Sequence, residues 1–409
     1  MNIPSASELL STNPSVYTIE KPEKLKEQHK KMKIGVPKER SLQERRVALT
    51  PETVNVLVRH GHQVLIETQA GLAAHYTDHD FSEAGAIISH HVEDLYQQCD
   101  FIAKISRLSS DEISLLCPNQ TIISALSLGN LTPDYIWEFC NKNITGLAFE
   151  FLQGTDNSLP LVQMMSEIAG VAAIQIAAEL MSDPKYGNGI LLGGVTGIPP
   201  AVITIIGAGT VGYHAAKTAL GMGARVRIID ESIEKLRAIK KELGLEVYTM
   251  VAQYNYIKEA VTTSDVVIGA AYTQGKTTPV VVTEDMVKEM KEGSIIIDVA
   301  IDQGGCVDTS EITDHDHPTF TKHGVIHYCV PNIAAKYART ASMAVSNVLG
   351  PLLVAIGDAG GLERLMQQNE GVKQGIYTYR RHLTKKTIAN MFGMKMKYRD
   401  IGLLIATSL

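Results

Sequence analysis

Val-Ile-Thr-Ile-Ile at 202–206 runs directly into Gly-Ala-Gly-Thr-Val-Gly at 207–212. Five apolar or β-branched residues in succession mark a strand buried on both faces. Gly207, Gly209 and Gly212 then satisfy G-x-G-x-x-G, with Ala208, Thr210 and Val211 in the variable places. The first glycine permits a tight turn, the second lets backbone approach a pyrophosphate, and the third allows close helix–strand packing. The helical run from Tyr213 to Leu220 presents free N–H groups and a partial positive charge to that anion. Asp230 follows the next apolar strand, Arg225 to Ile229, about 23 residues after Gly207. A carboxylate there accepts hydrogen bonds from ribose hydroxyls and repels a 2′-phosphate, so the expected cofactor is NAD rather than NADP.

The same alternation of short β-branched runs and longer helical patterns extends in both directions. Toward the C-terminus, strands are expected near 245–249, 265–269, 294–298 and 324–328; toward the N-terminus, near 33–36, 63–66, 101–105, 121–124 and 145–149. This pattern predicts an α/β chain of two Rossmann-like domains, each a parallel sheet flanked by helices. Long helical stretches at 164–181 and roughly 334–356 are placed to join them. The expected division is discontinuous: 32–160 with 338–409 as a substrate (catalytic) domain, and 161–337 as the NAD-binding domain. A cleft between the two is the expected ligand site.

Composition excludes several classes. The chain has 409 residues, 45% apolar and 20% charged, and a formal charge of −6. That is too apolar for disorder, and the mild negative balance gives no support for binding nucleic acid or an anionic membrane. The basic residues between Tyr377 and Arg399 are interspersed and read as ordinary surface. The five cysteines (99, 117, 140, 306 and 329) form no CxxC pair, so neither a disulfide framework nor a metal site is indicated. Reduced thiols, and no apolar stretch unbroken by polar residues over a membrane-spanning length, point to a cytoplasmic protein. Residues 1–31 are polar and lysine-rich and read as an extension outside the domains.

Chemistry is carried by segments outside the glycine loop: KIGVPKERSLQERRVALTP (33–51), FIAKI (101–105), MSEIAG (165–170), IDVAIDQGG (297–305) and HPTF (317–320). With GAGTVG, in this order, they make the chain similar to the family of alanine dehydrogenase and the nicotinamide nucleotide transhydrogenase α-subunit, over roughly residues 32–380. AIDQGGC (300–306) and the compact stretch between Asp230 and Asp265 resemble alanine dehydrogenase more closely. The resemblance implies NAD-dependent oxidative deamination of L-alanine to pyruvate and ammonia, with the reverse reductive amination. It also leaves open a soluble NAD(H)-binding transhydrogenase subunit, or a dehydrogenase of another 2-amino acid. The implied partners are the small amino-acid or 2-oxo-acid substrate and further copies of the chain, as a hexamer or dimer.

Residue by residue, the resemblance makes Arg46 the clamp on the substrate carboxylate, a role suited to its planar fork. Lys104 is implied as a second substrate contact, and a lysine interrupting an apolar strand is costly unless it is paired. Asp302 is placed beside the nicotinamide ribose and the substrate amino group. Ser166, Ala271, Val299 and Asn332 fall where the family lines the cofactor cleft. Ser127 stands where the family has a histidine, and serine does not titrate near neutral pH. Proton transfer is therefore expected from Asp302, Lys104 or a water held by Ser127.

Overall fold

The computed structural model describes residues 29–41, 43–184, 187–271 and 278–406. Residues 1–28, most of the expected extension, lie outside that set. Residues 29–30 are packed: Lys30 N–H donates to the Gly357 carbonyl at 2.9 Å, and His29 Nδ1 lies 3.1 Å from Asp358 Oδ1.

The N-terminal half builds β1 (Lys33–Val36), β2 (Gln63–Glu67), β3 (Ile87–Ser89), β4 (Phe101–Ala103), β5 (Thr121–Ser124) and β6 (Thr145–Ala148). These pair in parallel in the order β3-β2-β1-β4-β5-β6. The second unit builds β7 (Val202–Ile206), β8 (Arg225–Asp230), β9 (Val247–Val251), β10 (Val266–Gly269), β11 (Ile295–Asp298), β12 (Thr319–Lys322) and β13 (Val325–Tyr328). Their order is β9-β8-β7-β10-β11-β13, with β12 antiparallel on the edge. Both sheets thus follow the doubly wound order, whose direction reverses between β1 and β4 in one and between β7 and β10 in the other. Ligands bind at such switch points, beyond the carboxyl ends of the strands. After the second sheet the chain returns to the first: β14 (Ile376–Tyr379) pairs antiparallel with β6, and β15 (His382–Leu383) with β14.

Five helices matter to the site. They are α1 (Pro51–Arg59), α2 (Ser110–Leu115), α3 (Pro160–Met181), α4 (Thr210–Gly221) and α5 (Ala338–Asp358). Pro51 and Pro160 begin α1 and α3 at the first helical position, where a missing N–H costs nothing. α3 packs on α4 and α5, and Gly170 makes this possible: a Cβ there would lie 2.4 Å from the Val211 carbonyl oxygen. By length and composition, α3 and the run Ile333–Asp358 could each cross a membrane, at a mean hydropathy of 1.5. In this fold both pack into the protein, with α3 in the core of the second unit and α5 in that of the first.

The strands differ in detail from the expectation. β4 ends at Ala103, short of the expected Ile105, although Lys104 N–H still donates to the Ile123 carbonyl and the Ile105 carbonyl accepts Ala125 N–H. β3, β12, β14 and β15 carry no apolar run long enough to announce them. TFTK of β12 is polar and half exposed, as an edge strand tolerates.

Candidate active site between the two switch points

Each glycine of the loop after β7 has its own geometric reason. Gly207 has φ +113°, and a Cβ there would lie 2.4 Å from the Ala270 carbonyl oxygen of β10's extension. Gly212 packs the helix onto the turn, since a Cβ would lie 1.9 Å from the Gly207 carbonyl oxygen. Gly209 is different. A Cβ there meets nothing within 4 Å, so it borders open space at the start of α4. Thr210 and Val211 begin that helix, whose first-turn N–H groups have no helical acceptor. Asp230 holds the loop: one carboxylate oxygen accepts Ala208 N–H at 2.7 Å and the other accepts Ser232 N–H at 2.8 Å. Lys235 Nζ is 3.9 Å away on the exposed side. An open space bordered by free N–H groups, with a buried carboxylate at the adjacent strand end, fits the pyrophosphate and adenosine ribose of NAD.

On the opposite side, the loop after β1 carries Arg46. α5 fixes this segment, because Val47 N–H donates to Ser342 Oγ and Thr50 N–H to Ser346 Oγ, each at 2.9 Å. The Arg46 guanidinium is 9% exposed and pairs with Glu44: Nε donates to Oε1 at 2.7 Å and Nη2 to Oε2 at 2.6 Å. Its Nη1 lies 3.2 Å from the sulfur of Met165, next to Ser166 on α3. Burial alone would raise the Glu44 carboxyl pKa, but the hydrogen bonds and charge of Arg46 hold it below the ordinary value.

Lys104, expected as a second substrate contact, is paired with carboxylates of its own chain. Its side chain is wholly enclosed, with Nζ 2.6 Å from Glu112 Oε1 and 3.4 Å from Glu39 Oε2. Two carboxylates therefore already flank the ammonium. The Ser106 hydroxyl also donates to Glu39. Burial pushes the Glu39 carboxyl pKa up, with Lys104 opposing. Ser127 lies beyond β5, half-buried and in the left-handed region (φ 52°, ψ 66°). Glu150 holds that turn by accepting Leu126 N–H at 2.9 Å and Ser127 N–H at 2.7 Å.

Asp302 comes from the short helical turn Val299–Gln303 that follows β11. The turn is shaped by Asp298, whose carboxylate accepts N–H groups of Ala300 (3.1 Å), Cys306 (3.0 Å) and Val307 (3.2 Å). Asp298 is 1% exposed and so acts as a loop organiser. Asp302 reaches solvent through the cleft, yet the surrounding protein raises its carboxyl pKa, opposed by the Asn332 N–H and by the Arg46 charge. Asn332, in the left-handed region at φ 54°, donates its N–H to Asp302 at 3.0 and 3.2 Å. Its side-chain amide reaches across the cleft to Glu44 Oε2 at 3.0 Å. Gln43 makes a parallel bridge, accepting His315 N–H at 2.7 Å. A cavity of about 680 Å³ adjoins this bridge, lined in part by Gln43, Thr313, His315 and Asn332.

The structure therefore brings Arg46, Asp302 and Asn332 together, while Ser166 follows Met165 on α3. Ala271 and Val299 continue β10 and β11 at the carboxyl edge, above the glycine loop. Sequence reasoning passed over Glu39 and Glu44. Their signal was available in KERSLQERR, where two carboxylates are interleaved with the basic residues.

Comparison with known proteins agrees with this arrangement. The family description "Alanine dehydrogenase/PNT, N-terminal domain" matches residues 35–169, and "Alanine dehydrogenase/PNT, C-terminal domain" matches 173–386. The chain is 40% identical over 370 residues to "Alanine dehydrogenase 2" of Staphylococcus aureus (strain USA300), covering 90% of this chain and 98% of that one. It is 37% identical over 367 residues to "Alanine dehydrogenase" of Halomonas elongata, covering 89% and 98%. Among solved structures, an L-alanine dehydrogenase superposes with a TM-score of 0.83 at 35% identity, covering 89% of this chain and 99% of that one. A transhydrogenase from Sinorhizobium meliloti superposes with a TM-score of 0.75 at 25% identity, covering 86% and 99%. Two Rossmann-type sheets facing each other across the Arg46–Asp302 cleft, together with these matches over nearly the whole described chain, place this protein in the alanine dehydrogenase/PNT family.

Proposed function

We propose that the chain is an NAD-dependent L-alanine dehydrogenase, catalysing oxidative deamination to pyruvate and ammonia and the reverse reductive amination. The observation that carries this reading is the meeting of Arg46 and Asp302 from opposite sides of one cleft, linked through Glu44 and Asn332. A clamp for a carboxylate and a base for an amine, set apart by a bridging amide, suit an α-amino acid.

The bound nicotinamide supplies the hydride acceptor. Arg46 holds the substrate carboxylate, orienting the α-hydrogen toward that acceptor. Asp302, once ionised, takes a proton from the substrate ammonium so that the C–H pair can leave as hydride and a C=N bond can form. After Asp302 passes that proton to solvent, its carboxylate deprotonates the water that adds to the imine carbon; it then returns this proton to the nitrogen, so that ammonia departs as the added hydroxyl loses its own proton and becomes the carbonyl. Ser127 holds that water without titrating, and Lys104, its charge shared with Glu39 and Glu112, is the second contact for the substrate. The Gln43 and Asn332 bridges keep the cleft closed and limit bulk water.

The alternative, a soluble NAD(H)-binding transhydrogenase component, draws on Ser127, since handing hydride between nucleotides needs no titrating group there. Reduction of NAD⁺ by purified protein with L-alanine tests the two. Turnover supports the dehydrogenase, and NADH binding without amino-acid oxidation favours the alternative. We also propose that the protein is a homo-oligomer. Leu191, Val195 and Ile198 are 56–65% exposed on one loop, as apolar side chains at a subunit contact are. Light scattering after size exclusion measures the state.

A further inference from the structure

Glu44 takes one edge of the Arg46 guanidinium and leaves the other. Nε and Nη2 each give one hydrogen to the Glu44 carboxylate, at 2.7 and 2.6 Å, and Nη1 gives one toward Met165 sulfur at 3.2 Å. A guanidinium has five N–H donors. Two remain, one on each terminal nitrogen, and the one on Nη2 lies on the end-on edge, where a second carboxylate can dock. Glu44 cannot drift from its place. It is 4% exposed, accepts the Arg46 backbone N–H at 3.1 Å, and accepts the Asn332 amide at 3.0 Å. Asn332 in turn donates its backbone N–H to Asp302. The four residues Arg46, Glu44, Asn332 and Asp302 form one continuous chain across the cleft.

We propose that Glu44 is a positioning residue: it blocks the side-on edge of Arg46, so that a substrate carboxylate docks end-on with its amino group at Asp302. This rests on the dehydrogenase reading of the site. If Glu44 loses its charge, the guanidinium opens its side-on edge to the ligand and is no longer neutralised by an internal carboxylate. Carboxylate ligands then bind more tightly but in the wrong place, and turnover falls. A residue that merely supports the fold gives the opposite pairing, weaker binding together with lower turnover.

The test compares wild type, E44Q, E44D, N332A and E44Q/N332A, using two readouts. One is the Kd of pyruvate for the NADH-bound protein, read by NADH fluorescence; the other is kcat for L-alanine. E44Q is expected to tighten pyruvate binding at least threefold while lowering kcat at least tenfold, and E44D, which keeps the charge, to recover most of kcat. N332A is expected to lower kcat with pyruvate Kd within twofold of wild type. The double variant is expected to lose no more than about threefold beyond E44Q, because both act in one chain. Weaker pyruvate binding in E44Q, or no change in either readout, overturns the proposal, and fully multiplicative losses overturn the link through Asn332. If E44Q does not fold, as thermal unfolding would reveal, E44D and N332A are judged on the same two readouts. A wild type inert toward L-alanine removes the dehydrogenase reading, yet the pyruvate Kd of E44Q still decides whether Glu44 controls the carboxylate dock.

Discussion

Lys104 and Glu112 meet at 2.6 Å with side-chain exposures of 0% and 4%, so an ion pair is enclosed within the protein. Glu39 stands on the other side of the same ammonium, and the Tyr96 hydroxyl donates to Glu112 at 3.3 Å. Removing one partner from such a pair leaves uncompensated buried charge, typically at a cost of about 3–5 kcal/mol. Lys104→Met is therefore expected to destabilise the fold by about that amount, measured by urea unfolding. Lys104→Met combined with Glu112→Leu is expected to recover part of the loss. A Lys104→Met protein of unchanged stability would contradict the enclosure of this charge.

Asp302 carries the pH dependence. Its pKa is raised, chiefly by the desolvating cleft wall, and the ionised form is the working base. Alanine oxidation should therefore decline as pH falls through that raised value. Asp302→Asn should lower kcat by about 10²- to 10⁴-fold. For stability the sign reverses. A carboxyl whose folded pKa is raised contributes fully below its unfolded pKa and loses that contribution as pH rises through the folded value. Asp302→Asn is thus expected to be at least as stable as wild type at neutral pH, by thermal unfolding, even though it is nearly inactive.

The glycine loop separates packing from binding. Gly209→Ala adds a methyl group into open space, so the protein should fold with an unchanged melting temperature but bind NADH at least tenfold more weakly. Gly212→Ala forces a methyl group against the Gly207 carbonyl and should lower the melting temperature itself. Calorimetry with NADH titration checks both; equal effects of the two substitutions would contradict the reading of the loop.

Ser127→His restores a titrating group at the cleft. Histidine tolerates the left-handed backbone better than most residues, and φ 52° is retained if Glu150 keeps the turn. Alanine turnover is expected to rise. An unchanged or lower rate with intact NADH binding would show that the proton route does not pass this position.

Much of this was legible in the sequence. The continuous apolar strands around the glycine loop declared the second sheet, and Arg46, Asp230 and Asp302 lie after β1, at the end of β8 and after β11. What escaped was set by geometry that spacing does not encode. Lys104 lies one residue beyond the end of β4, and its place in FIAKI gives no sign of Glu39 and Glu112, which flank its ammonium only in the folded chain. Glu44 gave no sign of its partner because Asn332 is 288 residues away and reaches it only once the cleft has formed. Short edge strands such as β12 were hidden because solvent keeps them polar.

The matching strand orders of the two sheets place the loop after β1 and the loop after β7 at equivalent positions in their folds. One carries the glycines that expose backbone N–H groups to a phosphate; the other carries an arginine aimed at a carboxylate. A single architecture, used twice and face to face, has become a pair of opposed anion receivers. One is built from main chain, which cannot be altered without breaking the turn, and the other from side chains, which can. The cofactor half is thereby held constant by the backbone, while the choice of acid is left to a few replaceable groups around Arg46.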